Sequence, residues 1–215
     1  MNGNVKLNLG CGTTQPQGWI NVDYSLGARL SKIPLLSRLN GLLKIFDLGS
    51  DGLPRAYKRS LFVYNLLKRF PWNDESIDVI YSSHTLEHFS KQEGIIFLRE
   101  CHRVLRKNGI IRIVIPDLKL LITNYISGKV PADEFVEVLG VLYERKNNPI
   151  KNILMPLTQF PHKCMYDINT LTRILRSIGF RVKPKDPFES DIADIRTIES
   201  VGRTENAIIV EGKRV

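Results

Sequence analysis

The hydrophobic positions of the chain fall into short blocks whose period switches between that of a strand and that of a helix. Apolar runs of strand length lie at 5–9, 19–22, 61–64, 77–82 and 110–115. Before the last run, apolar residues recur at helical spacing from about Lys91 (Phe97, Cys101, Val104, Leu105), and Asn108-Gly109 is expected to end that helix. Such alternation predicts a parallel sheet with helices on its faces.

A second group of elements is predicted after residue 166. Asp167 suits a helix N-cap, and Gly179 suits the end of the same helix. Leu171, Leu175 and Ile178 would share its buried face. Strands at 180–182 and 207–210 follow. For 215 residues, the simplest organisation is a single domain over 1–215.

Two stretches, at about 24–60 and 117–166, are longer than simple connections need and are interpreted as insertions. In the first, four apolar residues at helical spacing stand beside three basic ones (Leu35, Leu39, Leu42, Phe46; Lys32, Arg38, Lys44). This pattern fits a basic amphipathic helix on a membrane surface, or an ordinary helix packed on the domain. The second insertion contains a predicted helix at 132–145 and is placed to cap a ligand crevice over the acceptor site.

The charge of the chain is strongly basic, with 31 Lys and Arg against 22 Asp and Glu and a net charge of +9. Seven basic and two acidic residues lie at 38–69, and five basic residues without an acid lie at 168–185. Such patches favour anionic partners, namely nucleic acid, a nucleotide-linked sugar or an anionic membrane face, unless they are only a solvated surface.

Composition also bears on location. No apolar run reaches membrane-spanning length, and the first residues do not open a signal peptide. Three widely spaced cysteines suit reduced thiols better than a disulfide framework. We therefore expect a cytoplasmic protein without a transmembrane segment, in which peripheral membrane contact is an open alternative.

A glycine turn near the N-terminus carries the first chemical signal. The strand at 5–9 runs into Gly10-Cys11-Gly12, and Asp23 closes the following strand. Glycines let a backbone approach a ligand closely, and a carboxylate can accept hydrogen bonds from both hydroxyls of a ribose. The third glycine of the usual dinucleotide motif is absent, and the acid comes early, with little room for a helix between the two strands. The turn alone therefore predicts an adenosine-bearing ligand.

A second segment, Ser83-His84-Thr85-Leu86-Glu87-His88, narrows this prediction. Together with the glycine turn, it closely resembles the class I S-adenosylmethionine-dependent methyltransferases. More narrowly, it resembles a small branch of predicted methyltransferases associated with bacterial surface-polysaccharide synthesis. The resemblance covers 6–115 and resumes at 162–167 and the helix that follows.

This resemblance implies a Rossmann-like three-layer α/β sandwich, with a mostly parallel seven-stranded sheet whose last strand is antiparallel. It also implies S-adenosylmethionine at the carboxyl ends of the strands. Gly10 and Gly12 would approach its methionine part, Asp23 its ribose, and Asn65 the adenine, at a position where an acid is common in the family. The full implied cofactor set is Asn8, Gly10, Cys11, Gly12, Asp23, Asn65, Leu66, Ser83 and His84.

Four residues are candidates for catalysis: His84, Glu87, His88 and Asp117. His84 would lie near the sulfonium, and a histidine can take a hydroxyl proton near neutral pH. The alternative is that His84 only packs beneath the cofactor. Asp117 ends a strand at the crevice and would contact the acceptor or cap a loop.

A divalent metal is a further hypothesis. If a helical turn begins at His84, then Glu87 and His88 share its face, and His162 could add a ligand. The resemblance offers a precedent, because some ubiquinone-pathway and small-RNA methyltransferases bind magnesium with Glu-x-x-Glu-His at this place. Histidine in the first position suits zinc, manganese or iron better. The alternative is a motif without any metal.

The sequence thus predicts methylation of an oxygen on a sugar or other small polar acceptor, an anionic one given the basic patches. Two alternatives stay open, an RNA methyltransferase and a non-catalytic binding protein that keeps the fold. Trp19 and Trp72 are interpreted as core residues rather than ligand contacts.

Overall fold

A single seven-stranded sheet organises the computed structural model, which describes residues 4–33, 60–143, 152, 155–156 and 159–215. The strands are β1 (Lys6–Leu9), β2 (Ile20–Asp23), β3 (Phe62–Val63), β4 (Ile77–Ser83), β5 (Leu105–Pro116), β6 (Phe180–Pro184) and β7 (Ala207–Arg214). Their order is β3-β2-β1-β4-β5-β7-β6. Strands β1 to β5 pair in parallel, whereas β7 is antiparallel to both of its neighbours. The predicted α/β sheet with an antiparallel last strand is confirmed.

The helices of the described residues are α1 (Leu26–Leu30), α2 (Lys91–Val104), α3 (Leu118–Ile126), α4 (Ala132–Val138), α5 (Ile168–Ile178) and α6 (Val201–Thr204). Two 3₁₀ turns lie at Leu86–His88 and Ile195–Thr197. No described helix is long and apolar enough to cross a membrane.

The two longest helices begin at side-chain caps. In α2 the Ser90 hydroxyl accepts from the Glu93 N–H, and the Glu93 carboxylate accepts from the Ser90 N–H, which forms a capping box. In α5 the Asp167 carboxylate accepts from the Thr170 N–H at 2.6 Å, and the helix ends at Gly179. Both ends predicted for α5 are therefore confirmed.

Other boundaries differ from the prediction. Helix α2 ends at Val104 rather than at Asn108-Gly109, because buried Leu105 already pairs with Ile77 in the sheet. The residues at 106–109 bulge out before pairing resumes at Ile110. Helix α4 ends at Val138 rather than 145, and the candidate amphipathic helix at 35–46 lies outside the described residues.

The two faces of the sheet are covered differently. On one face, α2 and α5 bury Phe97, Leu98, Leu171 and Leu175 against the sheet, and Trp72 packs half-buried at its margin. On the other face, the core consists of Trp19, Val79, Tyr81, Val114, Ile209 and three isoleucines of the segment 186–199 (Ile192, Ile195, Ile198). Trp19 is buried and its indole N–H donates to Asp194 at 3.0 Å, which agrees with its predicted core role.

The segment 186–199 is held to the sheet by Arg112, a fully buried arginine of β5. All five of its N–H donors are used. The guanidinium donates twice to Glu199, at 2.7 and 2.9 Å, and once to Glu211 on β7 at 3.0 Å. The other two bonds go to the carbonyls of Glu189 and Asp186, at 2.7 and 3.1 Å.

We predict that Arg112→Met lowers the free energy of unfolding by about 3–5 kcal/mol, because two buried carboxylates lose their partner. Urea denaturation measures the change. Arg106→Met is the matched control, since Arg106 pairs with Asp78 at 2.9 Å on the surface and the pair contributes at most about 1 kcal/mol. Equal small losses in both variants would contradict the role assigned to Arg112.

Candidate active site

The carboxyl ends of β1, β2, β4 and β5 meet at one edge of the sheet, where the strand order reverses between β1 and β4. Ligands of open α/β sheets bind at such a point. The glycine turn lies there, with Gly10 at φ +72° and Gly12 at φ +51°. The N–H groups of Gly10 and Cys11 both donate to the carbonyl of Val22, at 2.9 and 3.0 Å. These bonds fold the turn onto the end of β2.

Asp23 closes the turn from the other side. One carboxylate oxygen accepts from the Gly12 N–H at 2.8 Å, and the other accepts from the Ser25 N–H at 2.7 Å. The early position of the acid is explained by the register, because Leu9 pairs with Val22 and Asp23 comes next. Each oxygen keeps a further lone pair for a ligand hydroxyl.

The two glycines have different neighbours. A Cβ on Gly10 would lie 2.0 Å from the hydroxyl oxygen of Thr85, so Gly10 makes room for a side chain and not for a ligand alone. Sequence reasoning assigned no role to Thr85, although it lies within the Ser83–His88 segment. A Cβ on Gly12 would lie 3.5 Å from the nearest atom, Nη2 of Arg203. Gly12 is therefore the glycine with open space beside it.

Asn8 and Cys11, both predicted to contact the cofactor, lie behind the turn. The Asn8 amide donates to the Thr14 carbonyl at 2.8 Å and to Asn21 Oδ1 at 2.9 Å, so its side chain supports the turn from the buried side. Burial is the main cause of the raised pKa of the Cys11 thiol, which keeps it protonated at neutral pH.

The predicted adenine contacts lie next to Asp23. The Tyr64 N–H donates to the Asp23 carbonyl at 3.1 Å, which brings the residues after Tyr64 to the end of β2. Asn65 Oδ1 accepts from the Leu67 N–H at 3.0 Å, and the Leu66 side chain is buried in the main core. A ligand here would therefore meet the backbone of Leu66 rather than its side chain.

His84 follows β4 in a left-handed conformation, at φ +50°. Its Nε2–H donates to the Arg203 carbonyl at 2.8 Å, and Nδ1 lies 3.3 Å from Glu87 Oε1. Burial alone would lower the pKa of His84, but Glu87 and the Arg203 carbonyl together raise it above its ordinary value. Because both nitrogens face acceptors, this geometry favours the imidazolium and leaves no free lone pair for a general base.

Glu87, His88 and His162 form a cluster whose candidate ligand atoms all lie within 4.8 Å of one another. The Nδ1–H of His162 donates to the Leu139 carbonyl at 2.7 Å, which leaves its Nε2 lone pair facing Glu87 Oε1 at 4.0 Å. Histidine ligands of metals are held in this way by a backbone carbonyl. The predicted metal ligands were His84, Glu87 and His88, with His162 as a possible addition. The structure instead groups His162 with Glu87 and His88, whereas His84 contacts Glu87 but lies outside the cluster.

The carboxylate of Glu87 is buried, at 1% exposure, and neither oxygen accepts a hydrogen bond of normal geometry from the described residues. Nδ1 of His88 is likewise buried without such a bond. Burial lowers the pKa of His88, which favours the neutral imidazole that metals bind. A buried carboxylate whose oxygens accept no hydrogen bond of normal geometry is costly, and a metal cation between Glu87, His88 and His162 would reduce that cost.

Asp117 caps α3, because its Oδ1 accepts from the Lys119 N–H at 2.9 Å. Asp117 was predicted either to contact the acceptor or to cap a loop, and the structure shows a capping contact. Asp117 also forms a bridge with Tyr166, and the N–H groups of Lys163 and Cys164 donate to the Glu87 carbonyl at 2.8 and 3.2 Å. The end of the second insertion therefore returns to the edge of the site.

Residues 46–113 match the family model of a methyltransferase domain. The match covers the third and fourth strands, the Ser83–His88 segment and α2. The match and the fold support an S-adenosylmethionine-dependent methyltransferase.

Solved structures show the same fold at low sequence identity. A SAM-dependent methyltransferase from Archaeoglobus fulgidus is 16% identical, with 99% of this chain and 87% of that chain covered at a TM-score of 0.52. One from Methanosarcina mazei is 16% identical, with 100% and 94% covered at 0.51. A chain of the complex that contains the Haloferax volcanii Trm112 methyltransferase activator is 13% identical, with 98% and 82% covered at 0.52. No curated protein matches the chain.

The glycine turn yields a stability prediction. Gly10→Ala adds a steric clash with Thr85 to the cost of a left-handed alanine, whereas Gly12→Ala carries the backbone cost alone. We expect Gly12→Ala to lower the free energy of unfolding by about 1–2 kcal/mol, and Gly10→Ala by about 1–3 kcal/mol more. Urea denaturation of both variants measures the difference, and equal losses would contradict the packing role of Thr85.

Proposed function

We propose that the chain transfers a methyl group from S-adenosylmethionine to an oxygen of a sugar or another small polar acceptor. The observation that carries this proposal is the position of the Asp23 carboxylate. One of its oxygens accepts from the Gly12 N–H at 2.8 Å, beside the open space at Gly12. The carboxylate keeps further lone pairs that could accept from ribose hydroxyls. The bound cofactor supplies an already activated methyl group. The chain has to hold both reactants in line and receive the acceptor proton.

The residues present fit this cofactor. Asp23 would accept from the ribose hydroxyls, and Asn65 would reach the adenine from the same end of β2. Gly12 would let the amino-acid part of the cofactor pass close to the backbone of β1. Ser83 is buried at the end of β4 and would line the floor below the transferred methyl group.

The proton of the acceptor is the second requirement, and His84 is engaged on both nitrogens. We infer that Glu87, His88 and His162 bind a divalent metal such as zinc, manganese or iron, for which a two-histidine, one-carboxylate set is suited. Three protein ligands leave positions open, as in catalytic sites. A metal bound there would lower the pKa of an acceptor hydroxyl, so that no side-chain base is required.

The proposed acceptor is anionic. The observation that favours this is a set of exposed basic side chains on α5 and β6 (Arg173, Arg176, Arg181, Lys183). A nucleotide-linked or otherwise charged saccharide in cytoplasmic polysaccharide synthesis fits this charge and an oxygen nucleophile. Tight, steeply salt-dependent binding of mixed RNA would instead favour the RNA methyltransferase.

The first test is calorimetric titration with S-adenosylmethionine, S-adenosylhomocysteine and NAD. We expect the first two to bind and NAD not to bind. Asp23→Asn should weaken S-adenosylhomocysteine binding about 10–100-fold, because an amide loses charge-assisted acceptors and sets its N–H₂ against a backbone donor. The exposed Asp186→Asn serves as the control. Unchanged affinity in the Asp23 variant would refute the ribose contact.

The second test concerns the metal. Protein purified without chelator is expected to contain about one metal equivalent by elemental analysis, and His162→Ala should lose it. His102→Asn is the matched control, since His102 is the one histidine of the four that lies away from the cluster, against Phe180. Sub-stoichiometric metal in the wild type, together with no uptake of added zinc or manganese, would rule the metal out.

A further inference from the structure

Arg203 lies over the glycine turn, although it belongs to α6 near the opposite end of the described chain. Its Nη1 donates to the Ser83 carbonyl at 3.3 Å, at the end of β4. Its Nη2 stands 3.5 Å from the place where a Cβ on Gly12 would be, at the end of β1. The guanidinium therefore bridges the two strands between which the strand order reverses.

The charge of this guanidinium has no ion-pair partner among the described residues. Arg112 and Arg103 each form ion pairs with two acids, but no carboxylate within the described residues lies in ion-pair distance of Arg203. The residue is half-buried, and only the Ser83 carbonyl accepts from its side chain among those same residues. Unused donors of a partly desolvated guanidinium favour a planar anion as a bidentate ligand.

The backbone of Arg203 is fixed on both sides. Its carbonyl accepts from Nε2–H of His84 at 2.8 Å, and the next residue, Thr204, is buried. Glu199, just before α6, is held by the buried guanidinium of Arg112. The side chain is therefore presented to the crevice from a rigid base, which reduces the entropy lost when it binds an anion.

We propose that Arg203 binds the α-carboxylate of the cofactor's amino-acid end. This inference rests on the proposed function. With the adenosine held at Asp23, the amino-acid end extends across the β1 turn, where Gly12 leaves open space and the guanidinium stands. The carboxylate is the one anionic group of S-adenosylmethionine, and it matches the planar fork of arginine.

The test compares ligands that differ at the carboxylate, by calorimetry and without turnover. The probes are S-adenosylhomocysteine, its decarboxylated analogue and 5′-methylthioadenosine, which lacks the whole amino-acid end. Wild-type protein is expected to bind S-adenosylhomocysteine at least tenfold more tightly than the decarboxylated analogue. Arg203→Met should weaken S-adenosylhomocysteine binding about 10–100-fold and leave methylthioadenosine binding unchanged.

Arg203→Lys and Arg196→Met complete the design. Lysine keeps the positive charge but not the planar pair of donors, so Arg203→Lys is expected to lose part of the affinity for S-adenosylhomocysteine. Arg196 is exposed, and Arg196→Met is expected to leave this affinity unchanged. If Arg203→Met fails to fold, two measurements still test the assignment. They are the preference of the wild type for S-adenosylhomocysteine over its decarboxylated analogue, and the affinity of Arg203→Lys for S-adenosylhomocysteine. Equal losses for all three probes, or a raised acceptor KM with unchanged S-adenosylhomocysteine affinity, would overturn the assignment. Wild-type protein that binds none of the probes would instead reject the proposed function itself.

Discussion

The second face of this sheet depends on one buried charge. The side chain of Arg112 reaches β7 and the segment 186–199 at once, through Glu211 and Glu199. Ser190 also donates to Glu211, and the Phe188 N–H donates to Glu199 at 2.8 Å, so both carboxylates are fully surrounded by donors. Because Glu199 directly precedes Ser200 and α6, this network anchors the residues that lead into α6.

The three most buried glutamates of the described residues differ in how their carboxylates are hydrogen-bonded. Glu199 and Glu211 are enclosed by donors and serve the fold. Glu87 is as deeply buried, yet the ion-pair partners of its carboxylate among the described residues are imidazole rings, at 3.3 and 4.0 Å. Among the described residues, the fold thus gives two carboxylates several hydrogen bonds and gives the third none of normal geometry, at the carboxyl ends of the strands. Incomplete solvation of this kind costs stability and is retained where a ligand compensates for it.

The features of the fold that could be predicted from the sequence are those set by residues close together in the chain. The strands follow from the hydrophobic period, and both ends of α5 follow from capping chemistry. Contacts between distant segments were not predictable in this way. Thr85 fills the space beside Gly10, His162 approaches Glu87 from the second insertion, and Arg203 reaches Ser83 from 120 residues away. The bulge at 106–109 was also missed, because pairing with β4 overrides the helix period of α2.

The antiparallel insertion of β7 between β5 and β6 has a consequence for synthesis. A ribosome releases the glycine turn and Asp23 long before α6 and β7 emerge, so a nascent chain holds half of the crevice without its arginine or the carbonyl that fixes His84. The β5–β7 pairing also joins segments that lie far apart in the chain, and such non-local pairings slow folding. The growing polypeptide therefore has no completed pocket with which to capture a small molecule before its sheet is whole.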